Sequence, residues 1–177
     1  MLERVDELAA ADERPFDLDA TRLAAFFHDA VYRTGAPEQA RPDAQPSNEE
    51  ASARWAERAL AHDPRLAARV AGLVRATTTH EAAPGDAEAD VLLDADLAIL
   101  AAPPERYARY VAGVRAEYAW VPEPDFRAGR AQVLRDLASR ERIFRTAYAR
   151  ARWEDAARVN LAAELDDLQT PKNDRGG

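Results

Sequence analysis

Three observations predict an all-α fold for this chain. Alanine, leucine, arginine and glutamate, all good helix formers, recur along the whole length. No stretch sustains the period-two alternation of β-branched residues that a half-buried strand requires. Helix start and stop signals punctuate the chain often enough for roughly seven or eight helices, and no repeat of fixed period emerges. The expected architecture is a compact helical bundle forming a single domain over residues 1–168, with 169–177 as a disordered tail.

The elements follow in order. Asp19 is the expected cap of a helix running to about Thr34, in which Leu23, Phe26, Phe27 and Val31 recur at helical spacing. Gly35 and Pro37 break the chain, and GAPEQARPDAQP (35–46) is expected as a loop. Ser47 and Glu50 form a Ser-x-x-Glu capping box that opens a helix through about Ala61. Asp63-Pro64 is an N-cap followed by proline at the first helical position, and that helix runs toward Thr79. EAAPGDAE is a break, and residues 88–101 are helical again. Pro103-Pro104 stop that helix and start another, to about Trp120. VPEPD is expected as a turn. Phe126, Val133, Leu134 and Leu137 mark the next apolar face, and Trp153, Ala157, Leu161, Leu165 and Leu168 mark the last.

Composition bounds the partners. At 177 residues, 47 % apolar and 32 % charged, the chain has a globular balance and enough length to bury a core. Its apolar runs fall far short of the about 18 residues a membrane span needs, so no membrane partner is expected. The opening MLERVDELAAADER carries acids and lacks an apolar core, unlike a secretory signal. The absence of cysteine removes disulfides, thiolate catalysis and cysteine-based zinc sites, and suits a cytoplasmic protein. A net charge of −8 disfavours a nucleic-acid polymer as partner. Eight arginines between Phe126 and Arg152 are read first as a solvated helical face and second as a means of steering a small anion. Lys172 is the only lysine, so basic contacts fall to arginine, which suits bidentate phosphate recognition.

Chemistry is concentrated in a few residues. Of the three histidines, His62 precedes Asp63-Pro64 and reads as surface. His28 and Asp29 stand side by side in the apolar stretch LAAFFHDAVYRTG. A carboxylate buried there is costly unless it is paired or bound to metal. The plain alternative, an Asp29–arginine pair beside a satisfied core histidine, carries about equal weight. A helix through VLLDADLAIL places Leu92, Leu93, Asp96, Ile99 and Leu100 on one face, with Asp94 rotated roughly 200° away. Asp96 is therefore an acid within an apolar stripe, and Asp94 is expected only to support it. Two acids and an imidazole converging in a core call for a cation, and Mn, Fe, Mg, Ni or Zn suits such donors.

The ordered set HDAVY (28–32), SNEEASA (47–53), DADLAIL (94–100) and APPERY (102–107) resembles a subgroup of small bacterial proteins in the HD superfamily of metal-dependent phosphohydrolases. The resemblance covers roughly residues 20–168. It implies an HD-type helical domain in which His28, Asp29 and Asp96 ligate a divalent metal. The implied activity is hydrolysis of a nucleotide or other small phosphate ester by metal-activated water, with Asp29 ligating and orienting the nucleophile. His80, ending ATTTH, is read equally as a catalytic proton donor or phosphate contact and as a helix-terminal histidine favoured by the dipole. Glu49, Arg106 and Tyr107 are candidate substrate contacts; Tyr32, Tyr107 and Tyr110 suit stacking on a base or sugar, with core packing the favoured role for each. Besides the small phosphorylated substrate, a homodimer is an open partnership. The family's first histidine lies upstream of His-Asp, and residues 1–27 contain none. Either the reading frame begins further upstream, the favoured account because MLERVDELAAA starts as an uncapped amphipathic helix, or the ligand is lost. In the second case a non-catalytic binding module on the same fold is the alternative.

Overall fold

Helices are the only regular elements among residues 1–33 and 46–170, the part of the chain that the computed structural model describes. Among the described residues, eight α-helices and one short 3-10 turn make an all-α fold, as expected. The chain divides into two compact units, Met1–Ala98 with Phe144–Ala151, and Ile99–Ile143 with Arg152–Gly177.

The first unit contains α1 (Leu2–Ala11), α2 (Leu18–Phe27), α3 (Asn48–Ala59), α4 (Pro64–Ala76) and α5 (Ala87–Leu97). Short polar side chains start four of them by accepting otherwise unpaired backbone N–H groups. Asp17, and not Asp19, caps α2 through Ala20 N at 3.0 Å. Ser47 caps α3 through Glu50 N at 3.1 Å, Asp63 caps α4 through Arg65 and Leu66 N at 3.1 Å, and Asp86 caps α5 through Ala89 N at 3.0 Å. The reciprocal half of the expected capping box is replaced: Glu50 instead takes Nε of Arg54 and of Arg75, each at 2.7 Å. Those guanidinium groups, Arg75 first, pull the Glu50 carboxyl down to about 2.

The core of this unit is built from Val5, Leu8, Val70, Leu73, Val74, Val91, Leu92 and Leu93, all buried. Buried alanines, such as Ala24 on α2 and Ala71 on α4, let helix backbones approach closely. α5 packs against α1, α2 and α4. Being enclosed from several directions, it has no single apolar stripe, and this overturns the expected phase of its acids. Asp94 is 1 % exposed, whereas Asp96 is only half-buried.

α2 also ends earlier than Thr34. His28 is its C-cap, with its N–H on Ala24 O at 2.9 Å, and Ala30 N turns back to Phe27 O at 3.0 Å. Val31 N then donates to Ser52 Oγ on α3 at 2.9 Å, a bond that takes the place of further helix. The buried face is Ala20, Thr21, Ala24, Ala25 and Phe27, while Phe26 is 67 % exposed. Except for Pro46, the loop expected over 35–46 lies outside the described residues, as does the tail beyond Thr170.

The second unit holds α6 (Pro104–Glu117), α7 (Glu123–Ala138) and most of α8 (Ala147–Gln169). Pro124 falls in the first turn of α7, so the expected VPEPD turn is shorter than predicted. Leu134 is buried, but Val133 is exposed. Several arginines read as a solvated face are instead structural. Arg127 donates to the carbonyls of Asp167 and Thr170 at 2.7 and 2.8 Å, satisfying the end of α8. Arg130 forms a buried pair with Glu164, and Asn160 Nδ2 bridges Leu100 O and Ala102 O at 2.7 and 2.9 Å.

Candidate metal centre

The first unit gathers His28, Asp29, His80 and Asp96 from three stretches of chain. His28 is set by the end of α2. Its Nδ1 lies 2.9 Å from Ala25 O and donates to it, which leaves Nε2 for other work. That Nε2 is 3.0 Å from Asp29 Oδ2 and 3.6 Å from Asp96 Oδ1. His80 follows α4 with its N–H on Ala76 O at 3.0 Å and φ of 54°, a left-handed conformation that few non-glycine residues adopt. Its Nε2 approaches Asp96 Oδ2 at 3.1 Å.

The electrostatics follow from these contacts. Burial opposes charge on His28, but the bond to Asp29 and the charges of Asp96 and Asp29 outweigh it and raise its pKa. The same bond holds the Asp29 carboxyl below the usual carboxylate range, against its partial burial. Asp29 is not the buried acid the sequence suggests: it sits in the turn after α2 with its side chain 61 % exposed.

Neither family models, curated proteins nor solved structures match this chain.

The donors therefore speak for themselves. An imidazole oriented through Nδ1–H to a backbone carbonyl, beside two carboxylates and a second imidazole, is a donor set that suits a borderline divalent ion. Among the described residues, however, no group of three or more His, Asp or Glu side chains is spread around a common point. The four side chains bond to one another, so a cation would have to part the His28–Asp29 and His80–Asp96 contacts. In chemistry the residues fit a metal; in this arrangement they are closed onto one another.

The remaining candidates fall elsewhere. Glu49 is half-buried in the first turn of α3. Arg106 is exposed on α6 in the second unit. Tyr107 is buried, with its hydroxyl on Glu164, so of its two expected roles it takes core packing. Tyr110 lies beneath the Arg130 guanidinium, whose Cζ is 5.4 Å from the ring centroid. Tyr32 is exposed, and so is His62, as expected.

Arg145 escaped the sequence reading, and Asp94, expected only to support Asp96, has partners the sequence did not name. Arg145 Nη2 donates to His80 O at 2.8 Å and holds the turn that carries the imidazole. Asp94 accepts from Arg145 N and Thr146 N at 2.8 Å each and from Thr146 Oγ1 at 2.7 Å. Burial pushes its carboxyl up to about 6, against the pull of those bonds. Helical phase had placed Asp94 away from the core, and Arg145 was one arginine among many.

Proposed function

We propose that the chain is a metal-dependent phosphohydrolase of the HD type, acting on a nucleotide or another small phosphate ester. One observation carries this reading: Asp29, His28, Asp96 and His80, drawn from three stretches of the sequence, form a continuous chain of contacts, His28 Nε2 standing 3.0 Å from Asp29 and 3.6 Å from Asp96, and His80 Nε2 3.1 Å from Asp96. The ordered motifs HDAVY and DADLAIL lend it independent support.

In this reading His28 Nε2 and the carboxylates of Asp29 and Asp96 hold the ion. A divalent ion bound there supplies charge neutralisation at a phosphoryl oxygen and lowers the pKa of water toward about 7. The protein's own part is positioning and proton handling. Ala25 O fixes the His28 tautomer. Asp29, the most exposed of the acids, orients a water arriving from solvent. His80, freed from Asp96 when the ion takes that carboxylate, is placed to act as general acid toward the departing oxygen.

The test is metal content after dialysis against Mn, Fe, Mg, Ni or Zn, followed by turnover of a panel of small phosphomonoesters with and without chelator. Bound metal and chelator-sensitive hydrolysis, both lost in Asp96→Ala, are expected. A folded chain that takes up no ion and turns over nothing sinks the proposal and favours a binding module.

A further inference from the structure

A cleft of about 410 Å³ opens in the first unit between the end of α1, the link to α2 and the first turn of α8. Leu8, Arg14, Arg145, Tyr148 and Arg150 line it, with Asp12 and Glu13. Its three arginines are not equivalent. Arg14 is neutralised: it forks onto Asp12 through Nε at 3.0 Å and Nη2 at 2.6 Å, and reaches Asp90 Oδ2 at 2.9 Å. Arg145 spends Nη2 on the His80 carbonyl at 2.8 Å and stands 3.7 Å from Asp90 Oδ1, an acid already engaged by Arg14. Arg150 donates Nη1 to the carbonyl of Arg145 and makes no ion pair with a described carboxylate.

A carbonyl aims a guanidinium without cancelling its charge. Arg150 is therefore tethered to a neutral oxygen alone, and Arg145 shares its one acid, Asp90, with Arg14, so an anion within reach of both relieves their repulsion. The acids at hand do not fill that role, since Asp12 is committed to Arg14 and Glu13 is exposed at the rim. The Arg145 backbone is pinned by buried Asp94 at 2.8 Å, so little order has to be gained on binding. Guanidinium forks match phosphate oxygens, and Leu8 with the Tyr148 ring offers an apolar wall.

We propose that this cleft binds the phosphate of a small phosphorylated molecule, held by Arg145 and Arg150, with the organic part against Leu8 and Tyr148. The site needs no metal at the His28 cluster, so it stands or falls separately from the activity proposed above. The test titrates inorganic phosphate and phenyl phosphate into the full chain by calorimetry, with chelator present to exclude cation-mediated binding. Saturable binding at one site is expected, weakened about tenfold or more in Arg150→Gln, the scale of a charge-assisted hydrogen bond. Asp29→Asn is expected to bind phosphate as the native chain does. Tighter binding of phenyl phosphate supports an ester ligand, and equal binding supports free phosphate in the same clamp. Unsaturable binding overturns the proposal, as does native-like binding by an Arg150→Gln variant that melts like the native chain.

Discussion

His80 and His28 divide one carboxylate between them: His80 Nε2 stands 3.1 Å from Oδ2 of Asp96, and His28 Nε2 stands 3.6 Å from Oδ1. Asp96 is thus the link between the end of α2 and the turn after α4, and the single change that disturbs both imidazoles at once.

Asp96→Asn keeps the shape and removes the charge. If the cluster is a metal centre, manganese affinity should fall by more than tenfold, since even residues that only support ligands are worth about 10–100-fold. Equilibrium dialysis checks this on the native and variant chains side by side. Unchanged affinity would place any bound ion elsewhere.

His80 offers a test of backbone strain that needs no metal. Its φ of 54° costs an L-residue energy that glycine does not incur. Both His80→Ala and His80→Gly delete the imidazole, so their difference isolates the backbone. His80→Gly should be the more stable of the two by about 1 kcal/mol in urea unfolding with chelator present. An alanine variant of equal or greater stability contradicts the strain.

Where local chemistry decides, the sequence was legible. Ser47 and Asp63 cap the helices expected of them because a cap depends on neighbours three residues away. The end of α2 was not legible, because Ser52, on another helix, takes the N–H of Val31. Nor was the contrast between Asp94 and Asp96. Helical phase sorts inside from outside only when a helix has an outside, and α5 is packed against α1, α2 and α4. The His-Asp pair and the later Asp were legible as a candidate set because of their order. The high exposure of Asp29 was not, since it depends on where α2 stops.

Asp94 should matter to the fold more than its neighbour. Its carboxylate is the partner of Arg145 N, Thr146 N and Thr146 Oγ1 in a buried setting. Asp94→Ala leaves these donors unpaired and should cost about 3 kcal/mol or more, while Asp94→Asn keeps one acceptor oxygen and should cost less. Urea unfolding of both variants checks the order, and equal losses would contradict it.

Acid dependence should trace in part to the cap of α5. Arg69 beside Asp86 holds that carboxyl below its ordinary 3.8, against partial burial. Since the folded pKa lies below the unfolded one, the group stabilises the fold above 3.8 and loses this contribution as pH falls through its folded value. Arg69→Gln should therefore be less stable than the native chain at pH 7, and the gap should narrow as pH drops below 3.8. Unfolding curves at several pH values measure it; a constant gap rules out this linkage.

In the second unit the decisive pair is Arg130 and Glu164, whose side chains are 11 % and 5 % exposed. The contact is bidentate, with Nε to Oε1 at 2.7 Å and Nη2 to Oε2 at 3.1 Å, and the Tyr107 hydroxyl donates to the same carboxylate. Burial raises the Tyr107 pKa, and Glu164 raises it further, so the phenol remains a donor. Removing one partner strands a charge where water cannot reach it. Glu164→Leu should cost about 3–5 kcal/mol, because Arg130 is then buried without its counter-ion. Replacing both, Arg130→Met with Glu164→Leu, removes the stranded charge and should recover a large part of that loss. Urea unfolding of both single variants and the double variant measures the coupling. If the losses simply add, the pair does not act as a unit and Arg130 finds other solvation when Glu164 is gone.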